Sequence, residues 1–150
     1  MITLREITSD DMFDECLELK VKKEQREHCA SNTHSLAEAW LSYSTYRPFC
    51  IYKDETMVGF VMLDCDEAEK ECGIWRIMID EKYQGKGYGK EAMKIVLEDI
   101  KKNLVFEDIF LYVKPDNEIA IKIYKDLGFY IEGEIGEYVD GEYLMLLGRA

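Results

Sequence analysis

The sequence predicts an α/β fold: a mixed, mostly antiparallel central sheet with helices on both faces, its elements ordered β-α-α-β-β-β-α-β-α-β-β. Three observations predict it. Strand-like apolar runs are interspersed with stretches whose apolar residues recur at helical spacing. Three of those runs, between residues 49 and 79, are separated only by short turns or a loop, which makes them adjacent antiparallel strands. Further on, a β-α-β-α stretch places a helix between two strands, and such a crossover implies one parallel pairing. At 150 residues, 47% apolar and 33% charged, the chain has the size and composition of a single packed domain over 1–150.

Ile2 and Leu4 alternate with polar residues as a short strand, and Ser9 or Asp10 offers a cap to a helix carrying Met12, Phe13, Cys16 and Leu17. After a polar passage, 20–34, Ser35 reads as the cap of a second helix with Leu36, Ala39, Trp40 and Tyr43 on one side; Pro48 closes that helical region. Residues 49–52 and 57–63 form a hairpin around Lys53, Asp54 and Glu55. An acidic loop, 64–71, then leads into a strand at 72–79. Beyond Asp80 comes a glycine-rich loop and a helix with Ala92, Met93, Val96, Leu97 and Ile100 along its apolar stripe. Residues 109–113 are short and apolar throughout, the pattern of a fully buried strand, and Pro115 and Asp116 break it. Ala120, Ile123, Tyr124 and Leu127 share one face of a last helix, which Gly128 stops. Residues 130–138 and 142–147 close as a hairpin around Asp140 and Gly141.

Charge and cysteine content narrow the partners. A formal net charge of −12 repels a nucleic-acid backbone, so no nucleic-acid partner is expected. No apolar run approaches the ~20 residues of a membrane span, and Arg5, Glu6, Asp10 and Asp11 are foreign to a signal peptide, so a cytoplasmic protein is expected. The 5 cysteines lack a C-x-x-C pair and read as free thiols. Glu24 and His28 stand one helical turn apart without the H-E-x-x-H pattern, so no metal site is expected. Lys82, Lys86 and Lys90 form a cationic patch in this acidic background, which points to an anion site.

That patch overlaps Gln84-Gly85-Lys86-Gly87-Tyr88-Gly89-Lys90, which joins a strand to a helix. Alternating glycines let the backbone take positive φ and turn successive N–H groups inward, and the helix adds its positive end, so the expected guest is a phosphate. A Walker A loop fails on spacing. Gly87-x-Gly89-x-x-Ala92 meets a relaxed dinucleotide pattern, but antiparallel strands precede it and no acid ends the next strand. Spacing alone equally fits a tight strand-to-helix turn.

Wording and position separate these alternatives. Ile79-Asp80-Glu81 ahead of the loop, Gln84, Gly87 and Gly89 within it, and Asn117, Ala120, Tyr124, Gly128 and Phe129 downstream resemble the GNAT superfamily of acyl-CoA-dependent N-acyltransferases over nearly the whole chain. Leu19, Val21, Gln25, Ser35, Leu36 and Ala39 are further similar to its bacterial diamine and polyamine acetyltransferases. The resemblance implies acetyl-CoA as acyl donor, lying between splayed strands 72–79 and 109–113. Ile77, Met78 and Ile79 would hold the pantetheine arm, and one N–H near Met78 would polarise the thioester carbonyl. Gln84, Gly85, Lys86, Gly87, Tyr88, Gly89 and Lys90 would hold the pyrophosphate, and Asn117 and Ala120 would contact the cofactor, with helix capping as an equal reading of Asn117. Tyr124 would protonate the leaving thiolate.

The acceptor amine must lose a proton. With a pKa near ~10.4, about one molecule in ~10³ is neutral at pH 7, a deficit of roughly 4 to 5 kcal/mol. Many members carry a glutamate on the strand before the loop where this chain has Gly73, leaving the base open, with Glu71 or Glu24 reached through water as candidates. Arg76 either orients a substrate or pairs with a neighbour. Acceptor pockets of the superfamily use the early helices and last hairpin; here Glu24, Glu27, Glu132, Glu134, Glu137, Asp140 and Glu142 read either as an acidic vestibule or as a solvated acidic edge, and the vestibule makes Glu24, Glu71 and Glu134 the expected acceptor-binding residues. The expected substrate is a small cationic amine, a polyamine such as spermidine or spermine, attacked directly in a ternary complex. A protein amine, an aminoglycoside, or a non-catalytic acyl-CoA sensor are the alternatives, and a homodimer is expected by analogy.

Overall fold

The computed structural model describes residues 1–102, 105–133 and 141–148. It contains β1 (Ile2–Arg5), α1 (Asp10–Glu18), α2 (Asn32–Leu41), β2 (Tyr46–Lys53), β3 (Thr56–Asp66), β4 (Glu71–Ile79), α3 (Tyr88–Lys102), β5 (Asp108–Val113), α4 (Glu118–Asp126), β6 (Phe129–Glu132) and β7 (Tyr143–Leu147). The sheet runs β1-β2-β3-β4-β5-β7-β6, and β4–β5 is its parallel pair among the described residues. This is the expected α/β architecture. The last strand enters the sheet between β5 and β6, which leaves β6 at the edge.

Helices cover both faces. α3 packs on β1 and β4 and α4 on β6, whereas α1 lies on β3 and α2 on β2. The five residues expected along the apolar stripe of α3 are all buried, in a core with Ile51, Val61 and Leu111. Cys16, Cys50, Phe60 and Met62 make the second core under α1 and α2.

Local boundaries differ from expectation for identifiable reasons. Ser9 caps α1, accepting from the Met12 N–H at 3.2 Å. α2 starts one turn before Ser35: Ser31 caps it, accepting from the His34 N–H at 3.1 Å, because buried Asn32 pins its first residue to the Cys16 carbonyl at 2.9 Å. Pro48 stands inside β2 and does not end a helix. It lies where β1 no longer covers β2, the kind of edge position at which a missing N–H costs no ladder bond. β3 extends to Asp66, which shortens the acidic loop. The expected 130–138 strand is Phe129–Glu132 as far as it is described; residues 134–140 lie outside.

β5 is not buried on both faces. Ile109, Leu111 and Val113 are buried, but Phe110 and Tyr112 on the opposite side are partly exposed. The expectation of five free thiols is also corrected. Cys65 and Cys72 face each other across β3 and β4 and form a disulfide, leaving Cys16, Cys29 and Cys50 free.

Candidate active site

β4 and β5 pair only from Glu71↔Asp108 to Ile74↔Leu111. Beyond that point the parallel strands diverge, and the β4 edge that faces away from β3 has no strand partner among the described residues. A cleft of about 940 Å³ occupies the gap, lined by β4 from Ile74 to Ile79, the glycine loop, the end of β5, α4 and the passage after α1. Ile77, Met78 and Ile79 all line it.

Gly85 and Gly87 adopt φ of 79° and 81°, and a Cβ on either would meet nothing within 4 Å. Their backbone is therefore bare toward the cleft. Gly89 is different: it is already helical in α3 and sits against Ile79, so its smallness serves packing and not positive φ. The opening N–H groups of α3, at Tyr88, Gly89 and Lys90, lack intrahelical acceptors and lie at the cleft, as an anion site requires. Lys90 lines it and pairs with Asp126 at 3.7 Å, whereas Lys86 does not line it.

The Gln84 side chain is committed to the protein. Its Nε2 donates to the Ile79 carbonyl and to Gln25 Oε1, both at 2.9 Å, and its Oε1 accepts from Gln25 at 3.1 Å. This pairing ties the passage after α1 to one lip of the cleft. The other lip is tied by Lys114, whose Nζ donates to the Glu27 carbonyl at 2.7 Å, and by His28, 3.0 Å from Asp116. Residues 25–28 thus strap the open end of the gap. The sequence drew notice to Gln25, Glu27, His28 and Gln84 singly but to none of these pairings, since the partners lie 59 to 88 residues apart.

Tyr124 lines the cleft from α4, edge-on to Phe129 with ring centroids 6.1 Å apart. Burial, and secondarily the nearby Cys29, push its hydroxyl up to about 12, so it holds its proton throughout the physiological range. Burial also raises the Cys29 thiol, with Arg76 opposing. Asn117 lines the cleft and also caps α4, accepting from the Ala120 N–H at 3.4 Å, so both readings of it hold at once. Ala120 packs against the core and does not line the cleft.

The acceptor side departs most from expectation. Neither Glu24 nor Glu71 lines the cleft, Glu71 lying three residues before Ile74, where the β4 lining begins. Glu134, Glu137 and Asp140 lie outside the described residues. Among the described carboxylates, Glu27 and Glu142 line the cleft. The space beside Gly73 is occupied: a Cβ there would come within 2.6 Å of Phe110 Cζ. The ring fills the position from which a side chain at 73 would project. Trp75, Arg76 and Tyr112 line the cleft next to it.

Residues 4–129 match the model of the acetyltransferase (GNAT) family. The chain is 31% identical over 151 residues to a spermine/spermidine N(1)-acetyltransferase of Bacillus subtilis, covering 97% of each chain. Among solved structures it is similar to spermidine N-acetyltransferase from Vibrio cholerae in complex with CoA and spermine, at 20% identity and TM-score 0.77, covering 97% of this chain and 94% of that one. An aminoglycoside acetyltransferase in complex with coenzyme A is similar at 19% identity and TM-score 0.76, covering 99% and 95%, so fold similarity alone does not select an acceptor. With a glycine loop, a parted strand pair and a tyrosine gathered in one cleft, and with 4–129 matched, the chain belongs to the GNAT acetyltransferase family.

Proposed function

We propose that the protein transfers the acetyl group of acetyl-CoA to a primary amine of a small polyamine such as spermidine or spermine, by direct attack in a ternary complex. The observation that carries this reading is the convergence of bare loop backbone, an unpaired β4 edge and Tyr124 on one cleft. The loop and the start of α3 take the pyrophosphate, with Lys90 adding charge. The thioester arm lies along Ile77, Met78 and Ile79, where backbone N–H groups polarise its carbonyl. The amine nitrogen attacks that carbon, the C–S bond breaks, and Tyr124 gives its proton to the departing thiolate. The amine's proton leaves through water toward Glu142 or Glu27, the described carboxylates at the cleft.

The 31% identity to a spermine/spermidine acetyltransferase and the net charge of −12 support a cationic acceptor. The same reading includes one domain over 1–150, a cytoplasmic location and a homodimer, the last to be checked by light scattering. No helix among the described residues is long and apolar enough to cross a membrane.

The test is release of CoA thiol from acetyl-CoA with a panel of amines. Turnover of spermidine or spermine in preference to peptides and aminoglycosides is the expected result. Preference for either of the latter moves the acceptor class, and binding of acetyl-CoA without turnover of any amine refutes catalysis.

A further inference from the structure

The register of β4 on β3 changes at one place: Met62 faces Arg76 while Leu63 faces Ile74. Trp75 is therefore the extra residue of a β-bulge, and pairing with β5 ends at the residue just before it. A bulge bends its strand and increases the local twist, so the cleft opens where Trp75 is inserted.

One carboxylate on α2 holds that bulge. Trp75 Nε1 donates to Glu38 Oε2 at 3.3 Å, and Arg76 Nη2 donates to Glu38 Oε1 at 2.8 Å. Arg76 Nη1 closes the ring of bonds by donating to the Trp75 carbonyl at 2.9 Å. His34, one turn earlier on α2, comes within 3.1 Å of Glu38 Oε1. With side chains 25% and 23% exposed, Arg76–Glu38 is the best shielded ion pair among the described residues. Shielding matters because exposed pairs contribute little to stability, and water here competes less.

The clamp acts on surfaces that face the cleft. The Trp75 ring is tilted against Tyr46 at 5.9 Å and meets Tyr112 edge-on at 6.1 Å, and Tyr112 in turn meets Phe110 at 5.8 Å. These rings form a continuous wall on the α1–α2 side of the sheet, and Trp75 and Tyr112 reach the cleft. Immediately after the bulge come Ile77 and Met78, whose backbone borders the same space. A carboxylate that sets the bulge therefore sets both the wall and the direction of the following N–H groups.

We propose that Glu38 is a positioning residue for acyl transfer: by gripping Trp75 and Arg76 together it fixes the β4 bulge, and with it the aromatic wall along which the acceptor's alkyl chain lies and the aim of the N–H groups at the thioester carbonyl. This rests on the acetyltransferase reading above and names a residue that touches neither substrate.

The experiment compares the parent chain with Glu38→Ala, Arg76→Met and the double variant, with acetyl-CoA and the amine best used by the parent. Acetyl-CoA affinity is measured by calorimetry, and acrylamide quenching of Trp75 is read in a Trp40→Phe background, Trp40 being exposed. Misplacing reacting groups by small distances costs up to roughly 100-fold, so Glu38→Ala is expected to lower kcat/KM for the amine at least ~10-fold. Acetyl-CoA affinity should stay within about threefold, and Trp75 should become more accessible to quencher. Because the two side chains act as one unit, the double variant is expected to be no worse than Glu38→Ala. The proposal is overturned if kcat/KM stays within about twofold of the parent, if Trp75 quenching is unchanged, or if the loss falls on acetyl-CoA affinity. A parent that turns over no amine overturns the acetyltransferase reading and the positioning role with it, whereas an active parent with an indifferent Glu38→Ala overturns the positioning role alone.

Discussion

Tyr124 and Gly73 show what a single position can disclose. The hydroxyl of Tyr124 is pushed up to about 12, chiefly by burial, so it is a stable proton donor at neutral pH and a poor base. Tyr124→Phe keeps the ring against Phe129 and removes only the proton. Positioned general acids contribute about 10² to 10⁴-fold, so kcat is expected to fall by at least ~100-fold while acetyl-CoA affinity barely changes; equal rates in variant and parent would exclude the acid role. Helical spacing with Ala120, Ile123 and Leu127 turned this residue inward, and the resemblance to the family, not the spacing, assigned it the donor role. Gly73 was visible as a departure from the family's pattern, but its cause was not, because Phe110 lies 37 positions away and approaches only when β4 and β5 pair. Gly73→Ala is expected to cost about 1–3 kcal/mol in urea unfolding, and Phe110→Leu should relieve most of that cost. A Gly73→Ala chain as stable as the parent means the ring moves aside freely.

Among elements, the loop between β4 and α3 carries the clearest local signal. Gly85 and Gly87 need positive φ, and their Cβ positions open onto empty space, so their conformation was readable from spacing while their target was not. Gly87→Ala is strained by its φ of 81°, at a cost of about 1–2 kcal/mol, without any clash inside the protein. Its methyl would stand between backbone and phosphate, so acetyl-CoA affinity is expected to weaken by about tenfold, or ~1.4 kcal/mol, in calorimetry. Unchanged affinity would move the pyrophosphate away from this loop. α2 shows the limit of such reading. Ser31 and Ser35 are equally good caps by composition, and the choice fell to Ser31 because Asn32 is anchored to α1 by a buried bond.

For the molecule as a whole, one acidic cluster is set apart from the glycine loop. The end of the sheet remote from the glycine loop gathers Glu71 with Glu69, Asp66, Asp108 and Asp64, and burial first, then those neighbours in that order, raise the Glu71 carboxyl above its ordinary value. A raised carboxylate binds its proton more tightly folded than unfolded. Its stabilising contribution is present below the ordinary value of 4.5 and is lost as pH rises through the raised one. Glu71→Gln is therefore expected to stabilise the protein at pH 7 and to give no gain at pH 4; urea midpoints at the two pH values check it, and a gain confined to pH 4 contradicts it. Composition announced an acidic protein, yet the acidic run 64–71 gathers here, with Asp108, and does not line the cleft.

The chain by itself determined the order of its strands and helices, the bare backbone of the loop and the inward tyrosine, since each depends on residues within a turn or two of one another, and the order of its motifs pointed to the family. Only the tertiary structure decided the insertion of β7 beside β5, the bulge at Trp75, the strap over the cleft and which carboxylates reach it. Those features arise from pairings across dozens of residues, where register and packing choose among partners that local spacing leaves equivalent.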